Sequence, residues 1–452
     1  MWLCHSFITV IMWCVNVRRL GPMPGLIHLR HLWVSVLAVT LLASAQAETL
    51  EQAFDIALSH DARLLATQHQ VSAAASGLAA AKGLALPRVS LDALYNRFSD
   101  EPAFRVHLAP LPAMALPFAQ QEGTLVHAGV TWPLYRGGRL TNAAKAADAT
   151  LAAAQTEVER TRQDLKLSVA EAYVSVLRAK HLLALADSNV TTLSAHLRDV
   201  SAFLETGLVA RSDALAARTA EASAWQDRLR AATALEIAQA SYNRLLGRAL
   251  EAPVTLEDQV SVPEAEGADV SVPASAANRV ELVGLAQQGA ALQFQSAAAL
   301  AAGRPQVVLS AGYSQIQNRY LDKDALWNMG VGLSWELFDG GVHRSQADAL
   351  RARAAAVAAL HAELESQIAL QVHAAKLLRE ESRSRIAVAA TAITQAEENL
   401  RVARDRYQSG VGSHTEVLDA ETLRIKSGSN HFNALYDHML AVQRLKRANG
   451  EL

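Results

Sequence analysis

The stretch Arg406–Glu421 reads RYQSGVGSHTEVLDAE, and its two glycines interrupt a long alanine-rich sequence that favours helix. A related stretch, FLETGLVARSDALAAR, spans Phe203–Arg218. Gly410 follows Gly207 by 203 positions (410 − 207), and the residues around both glycines align without a gap. The quoted stretch is therefore one half of an internal repeat, and a repeat of this length determines the architecture of a chain.

The repeat extends well beyond the glycines. WPLYRGG, Trp132–Gly138, recurs as WELFDGG, Trp335–Gly341, again 203 positions later (335 − 132). Further upstream, Pro87 and Pro305 match at a separation of 218 (305 − 87), so the first repeat holds 15 additional residues (218 − 203). These fall in the proline-rich segment 98–123, where we expect an irregular loop at the strand tips because proline cannot donate to a strand ladder.

Both repeats contain segments in which apolar residues alternate with small or polar ones. RVSLDALYN follows Pro87, QVVLSAGYS follows Pro305, and VHAGVTW and MGVGLSW precede the two double glycines. A period of two predicts strands with one apolar face, here two β-hairpins at about 88–135 and 306–338. An apolar band that ends in aromatic residues is typical of a membrane β-barrel. The predicted lipid-facing residues are Leu91, Val130, Trp132, Leu309, Leu333 and Trp335.

Two long segments, 139–206 and 342–409, contain neither glycine nor proline. As helices each would be roughly 100 Å long, and such lengths indicate coiled coils or helical repeats. Helical sequence resumes at 212–246 and 415–449, which predicts a returning helix after each glycine break. We expect tight turns at two sets of glycines: the helical tips at Gly207, Gly410 and Gly412, and the strand-to-helix junctions at Gly137, Gly138, Gly340 and Gly341.

The first 47 residues have the pattern of a leader. The apolar run Leu32–Ala43 is followed by an A-x-A cleavage pattern that ends at Ala47. The run is shorter than the ~20 residues needed to span a bilayer, so we interpret it as a cleaved secretory signal. Met23 is a plausible true start. The absence of a cysteine after this run argues against a lipid anchor.

These patterns divide the chain into a leader at 1–47 and two repeated units. The first unit is 48–250 and the second 279–452, each with a helix, a β-hairpin, a long helix and a returning helix. A proline-containing connector at 251–278 joins them. The expected fold class is mainly α with a membrane β-barrel part.

The composition points away from several classes of function. The formal net charge of −2 offers no basic face for nucleic acid. Both cysteines, Cys4 and Cys14, fall in the leader, so neither disulfides nor thiolate metal sites are expected in the mature chain. The sequence carries no catalytic constellation, and we predict no enzyme activity, no cofactor and no metal.

The predicted strand count has a consequence for assembly. Two hairpins supply four strands (2 × 2), and unpaired strand edges are not tolerated in lipid. Because single barrels begin at about eight strands, several copies of the chain must share one barrel. A secreted trimeric coiled-coil structural protein or adhesin is the alternative. It accounts for the long helices but not for the four alternating strands.

Over nearly its whole mature length, from TLEQAFDIAL to ANGEL, the chain resembles the TolC-like outer membrane efflux proteins. The most specific similarities are RYQSGVGSHTEVLDAE and the duplicated aromatic-x-x-GG motif. The resemblance implies a homotrimer with one barrel of 12 strands (3 × 4), surrounded by outer-membrane lipid and continued by a periplasmic α-helical tunnel.

The same resemblance implies a function in the outer membrane of a Gram-negative bacterium. The chain would be the exit duct of a tripartite efflux pump or of a type I secretion system. Its partners would be a periplasmic adaptor protein and an inner-membrane transporter of RND, ABC or MFS type. Drugs, metal ions, solvents and secreted proteins all stay open as substrates.

The resemblance also assigns an acidic ring to Glu416 and Asp419, at the periplasmic end of the tunnel. The two positions are three apart, so they share a helix face, and a trimer would collect six carboxylates (2 × 3) there. An isolated acidic pair at this spacing is more often a solvated helix face.

A gate latch is implied next to the ring, with Tyr407 hydrogen-bonded to Asp213 beside Ser212. The family has an arginine in this latch where the present chain has Gly412. Two nearby side chains are candidates to replace the arginine: Arg211 and His414.

Overall fold

A computed structural model of the chain describes residues 47–107, 109–110, 112–258 and 279–452. The predicted leader up to residue 46 and the connector segment 259–278 lie outside the described residues. The helices are α1 (Leu50–His60), α2 (Ala62–Gly83), α3 (Arg139–Glu205), α4 (Arg211–Leu245), α5 (Val280–Ala302), α6 (Val342–Gln408) and α7 (His414–Asn449). The strands are β1 (Arg88–Arg97), β2 (Ala103–Val106), β3 (Met114–Pro117), β4 (Glu122–Tyr135), β5 (Gln306–Ile316) and β6 (Ala325–Ser334).

By internal contacts the described residues form a small unit and a large one. In the small unit, residues 47–49 lie beside Thr255–Glu257, and Glu48 pairs in parallel with Leu256. The large unit contains Leu50–Val254 and Asp258–Leu452, and therefore every helix and strand named above. It is mainly helical, and within it no described helix is long and apolar enough to cross a membrane.

The two long helices dominate the large unit, and α6 has the regular buried seam of a coiled coil. Most of its buried residues recur at multiples of seven, and most of these are small: Ala347, Ala354, Ile368, Ala375, Ser382, Ala389, Ala396 and Ala403. A strict seven-residue period keeps one seam of a helix against its neighbour, and here the neighbour includes α7. Most seam residues are alanine or serine, and such small side chains let the helices approach closely. For the same reason the seven-residue period is not visible in the sequence as a pattern of large apolar residues.

Four strands form one antiparallel sheet in the order β1-β4-β5-β6. Val89 lies opposite Val130, Val130 opposite Ala311, and Ala311 opposite Met329. Residues directly opposite in an antiparallel sheet point to the same side, so one apolar face runs across all four strands. We call it the apolar face. Besides Val130, the apolar face carries the four other predicted lipid-facing residues that lie within these strands: Leu91, Trp132, Leu309 and Leu333.

The opposite side of the sheet carries mostly small and polar residues. Ser90 lies opposite Gly129, Gly129 opposite Gly312, and Gly312 opposite Asn328. The apolar face is exposed in the single chain: Leu91 is 74% and Leu333 69% accessible. Such a continuous exposed apolar surface marks a contact with lipid or with another protein.

The segment 98–123 corrects one expectation from the sequence. Instead of an irregular loop it contains a short ladder, in which Ala103–Val106 pairs with Met114–Pro117. The ladder tolerates its proline because Pro117 is the last residue of β3, and the next amide, that of Phe118, donates to the Pro102 carbonyl over 3.0 Å. Phe104 stacks on Phe118 with ring centroids 4.6 Å apart, which adds a side-chain contact across the ladder.

The two junctions between strands and long helices have the same construction. The indole Nε1 of Trp132 donates to the carbonyl of Ala85 over 3.2 Å, and that of Trp335 donates to the carbonyl of Gly303 over the same distance. Both double glycines adopt positive φ, with 62° and 90° in the first pair and 67° and 86° in the second. Residues other than glycine rarely adopt this backbone conformation, which explains why the double glycine occurs at both junctions. The glycines are Gly137, Gly138, Gly340 and Gly341.

Candidate functional site at the helical tip

The ends of α3 and α6 meet the beginnings of α4 and α7, and we call this region the tip. Small and apolar side chains from all four helices form its buried cluster. The fully buried members are Val200, Ala214, Ala217, Leu400, Ala403, Tyr407, Val417 and Ala420. Two helical hairpins are thus packed together at their turns, and the predicted gate residues are all located here.

The two tip turns are built alike. Gly207 and Gly410 have φ values of 74° and 76°. The amide following each glycine donates back to the helix: Leu208 to Phe203 and Val411 to Arg406, over 2.9 and 3.0 Å. This is the glycine-terminated helix end in which a left-handed residue reverses the chain. The break in the quoted sequence is therefore a helix stop followed by a new helix start.

Gly412 has a different reason to be glycine. Its φ is ordinary, but a Cβ atom there would lie 3.0 Å from both the Tyr407 amide nitrogen and the Arg406 Cβ. Because one of these contacts is with backbone, the turn would have to shift to accept a side chain. A side chain at Gly412, where the resemblance implies an arginine, would therefore require a local shift of the turn.

The predicted ring residues lie on the first turns of α7. Glu416 and Asp419 are both exposed. The amide of Glu416 donates to the Ser413 hydroxyl oxygen over 3.2 Å, and this bond caps the helix. The Glu416 carboxylate also lies 3.7 Å from the Arg406 guanidinium. Both carboxylates are accessible, while the exposed pair with Arg406 contributes little stability.

The predicted latch residues come together without the predicted bond. Tyr407 is only 5% accessible, and its hydroxyl has no hydrogen-bond partner among the described residues. Burial raises the pKa of Tyr407, and the nearby charges of Asp213 and Asp199 raise it further. Asp213 instead accepts a bond of 3.3 Å from the Ser212 hydroxyl. Within one chain, Tyr407 and Asp213 are therefore neighbours but are not bonded.

Sequence reasoning missed a buried histidine pair in the tip. His196 Nε2 and His414 Nδ1 are 2.8 Å apart, and the two rings stack at 5.0 Å with an interplanar angle of 7°. The edge of the pair meets Tyr407, whose ring centroid is 5.0 Å from that of His196. His414 thus contacts His196 rather than replacing the missing latch arginine. No spacing in the sequence links these histidines, since they come from different positions of the two repeats.

The tip is a packed cluster of small and apolar side chains together with the buried histidine pair. In the part of the chain that the structure describes, no three His, Cys, Asp or Glu side chains lie close enough to share a metal ion.

The sequence profile of outer membrane efflux proteins matches residues 53–248 and 272–451. The chain belongs to the outer membrane efflux protein family. This is a family of transport ducts and not of enzymes. Its members act in tripartite efflux systems, so the chain works together with partner proteins.

Individual relatives agree with this family. The outer membrane protein TolC of Vibrio cholerae is 24% identical over 437 residues, covering 93% of this chain and 95% of the relative. The fold resembles that of VceC from Vibrio cholerae, with a TM-score of 0.76, 19% identity, and coverage of 89% and 96%. It also resembles the MtrE outer membrane channel of Neisseria gonorrhoeae, with a TM-score of 0.73, 18% identity, and coverage of 89% and 88%.

As a member of the efflux protein family, the chain is an outer-membrane exit duct with a periplasmic tunnel. The alternative of a secreted coiled-coil adhesin is not favoured, because family and fold both correspond to efflux channels.

Proposed function

We propose that three copies of this chain close one 12-stranded barrel (3 × 4) and that the tip is the gate of the resulting duct. The observation that carries the proposal is the apolar face, which extends across all four strands and is exposed in a single copy. Lipid around a shared barrel is the partner that such a face requires, since β-strands cross a membrane only in closed barrels.

The geometry of the sheet supports closure by copies of itself. Its edge strands are β1 and β6, and each strand runs antiparallel to its neighbour. With four alternating strands per copy, β1 of one copy is antiparallel to β6 of the next. A head-to-tail ring of copies is therefore antiparallel throughout and leaves no free edge.

We further propose that the chain arose from two copies of one unit, 48–250 and 279–452, joined by the connector 251–278. The equal tryptophan-to-carbonyl bonds, the two double glycines and the two glycine tip turns support this division. A trimer of duplicated units would surround the tunnel with six quasi-equivalent helical hairpins (3 × 2).

At the gate, Glu416 and Asp419 of three copies would form the acidic ring, and Tyr407 with Asp213 and Ser212 would contribute to the latch. Their location beside two tight turns supports this role, because hairpin ends can part without unfolding the helices. The partners would be a periplasmic adaptor and an inner-membrane transporter of RND, ABC or MFS type, in an efflux pump or a type I secretion system.

The acidic ring predicts the ion selectivity of the purified channel. In planar lipid bilayers we expect a cation-selective conductance that polyvalent cations block, because crowded carboxylates favour cations. The double change Glu416→Ala and Asp419→Ala should abolish the block and reduce the selectivity by about tenfold, which corresponds to ~1.4 kcal/mol of differential ion binding. Barrel assembly should not change.

The matched control removes the same charge elsewhere in the chain. Asp227→Ala with Glu236→Ala takes two exposed carboxylates from α4 outside the tip. This variant should keep both the selectivity and the block of the unmodified protein. An unchanged block in the Glu416/Asp419 variant would identify the pair as a solvated helix face and refute the gate assignment.

A further inference from the structure

We propose that the buried His196–His414 pair is a pH-sensitive element that holds the tip closed while both rings are neutral and loosens it on acidification. The inference rests on the proposed gate at the tip and adds a regulatory input to it. It concerns residues outside the acidic ring and the latch.

The geometry of the pair requires a defined protonation state. The 2.8 Å contact between His196 Nε2 and His414 Nδ1 is a hydrogen bond only if one nitrogen carries a proton and the other does not. The two residues are 5% and 7% accessible, respectively. In addition, His414 Nε2 is buried with no hydrogen-bond partner among the described residues. A first proton would bring a charge into this cluster, and a second would remove the acceptor and add repulsion.

The groups that face the pair come from all four helices of the tip. Burial lowers the pKa of His196 to about 4, with the neighbouring His414 and Arg404 acting in the same direction and Asp199 opposing them. Burial also lowers the pKa of His414, which Asp213 opposes. Tyr407 completes the set of titratable neighbours.

The sign of the effect follows from these directions. Both rings hold protons less readily in the packed tip than when exposed, so acid favours any state that exposes them. The stabilisation of the closed tip is complete above the ordinary histidine pKa of about 6.5 and is lost as the pH falls toward about 4.

The pair is placed to pass this change to the gate. His196 meets the ring of Tyr407 edge-on, and Tyr407 also contacts Phe203 at 5.6 Å, next to the first tip turn. His414 is the first residue of α7, one turn before the proposed ring. Separation of the two rings would therefore loosen both helical hairpins at their turns.

Single-channel recording at about pH 7.5 and about pH 5 tests the inference. The open probability of the unmodified channel should increase by up to about tenfold per pH unit below about 6.5 for each histidine that opening exposes. His196→Gln and His414→Gln fill similar volumes but do not titrate, so each should reduce this pH dependence. As a control, His373→Gln on the exposed side of α6 should retain the full dependence.

Two results would overturn the proposal: no increase in the unmodified channel, or an equal increase in both glutamine variants. NMR of histidine-labelled unmodified protein provides a test without substitution. Titration of the His196 and His414 rings below the ordinary value of about 6.5 supports the pair as described, whereas titration of both rings near 6.5 contradicts it. If the Glu416/Asp419 variant changes selectivity but no histidine-dependent pH effect occurs, the gate stands and this inference alone fails.

Discussion

A lysine on the apolar face should prevent assembly in the outer membrane, whereas a lysine one residue away should not. We expect Leu91→Lys and Val331→Lys to cost about 2–4 kcal/mol each, because the charge would lie in the hydrocarbon layer. Both positions are well exposed in the single chain, at 74% and 67%, so loss of core packing does not explain the effect. The measurement is the yield of oligomer in outer-membrane fractions.

The adjacent residues provide matched controls. Ser90 and Gly330 lie on the small and polar side of the same strands, which would face the lumen of the barrel. A Cβ atom at Gly330 would approach no atom outside its chain neighbours closer than 3.9 Å, so Gly330→Lys has space. Ser90→Lys and Gly330→Lys should assemble normally. Equal loss of oligomer in both sets would mean that the apolar face does not contact lipid.

Replacing Arg447 should cause the largest loss of stability outside the membrane part. Arg447 lies near the end of α7, and its guanidinium joins three helices. It donates to Asp164 of α3 over 2.7 Å and to Glu281 of α5 over 2.5 Å. The Arg447 and Glu281 side chains are only 11% and 14% accessible. Removing Arg447 should cost up to about 3–5 kcal/mol, because the buried Glu281 carboxylate loses one of its two cationic partners and keeps only Arg279. Arg447→Met should lower the thermal unfolding midpoint accordingly.

The pH dependence of this network comes from hydrogen bonds to a carboxylate, whereas that of the histidine pair comes from the burial of the two rings. Burial raises the pKa of Glu281, but hydrogen bonds from Arg279 and Arg447 outweigh it and lower the value to about 2. The carboxylate therefore stabilises the fold above its ordinary pKa of 4.5, and this contribution is lost as the pH falls toward 2. Arg447→Met should raise the Glu281 pKa, so the pH range over which the carboxylate stabilises the fold should become narrower.

Arg444→Met is the appropriate control for this change. Arg444 also lies on α7 and pairs with Glu171 over 2.8 Å, but both side chains are over 40% exposed. Exposed pairs contribute at most about 1 kcal/mol. If the two methionine variants unfold at the same temperature, the network around Arg447 does not hold the helices together as described.

The long helices and the sheet could be predicted from the sequence, because the spacing of apolar residues and the positions of glycine and proline mark them directly. Long segments without glycine or proline became α3 and α6, and alternating segments became the sheet. The positive φ at Gly207 and Gly410 explains why both helices stop at glycine. These features depend on local chemistry, which a single sequence displays.

Other features depend on contacts between distant segments, which no local pattern displays. The His196–His414 pair joins α3 to α7 across 218 positions (414 − 196). The ladder of β2 and β3 was obscured by prolines that lie at its end and in its turn. The seam of α6 was equally hidden, because alanine and serine serve there as core residues. In each case the tertiary neighbour, rather than the residue type, determines the role.

The central claim is that copies of this chain close one barrel through β1 and β6, and cysteine cross-linking between copies tests it most directly. Both native cysteines precede the predicted cleavage site, so any cross-link would come from the introduced cysteines. Ser90→Cys on β1 is combined in turn with Asn328→Cys, Gly330→Cys, Gly332→Cys or Ser334→Cys on the same side of β6. Within one copy these strands lie at opposite edges of the sheet.

We predict that at least one of these combinations, oxidised in outer membranes, gives a covalent ladder that ends at three chains. No intermolecular cross-link in any register, or a ladder that ends at another number, would contradict the shared 12-stranded barrel.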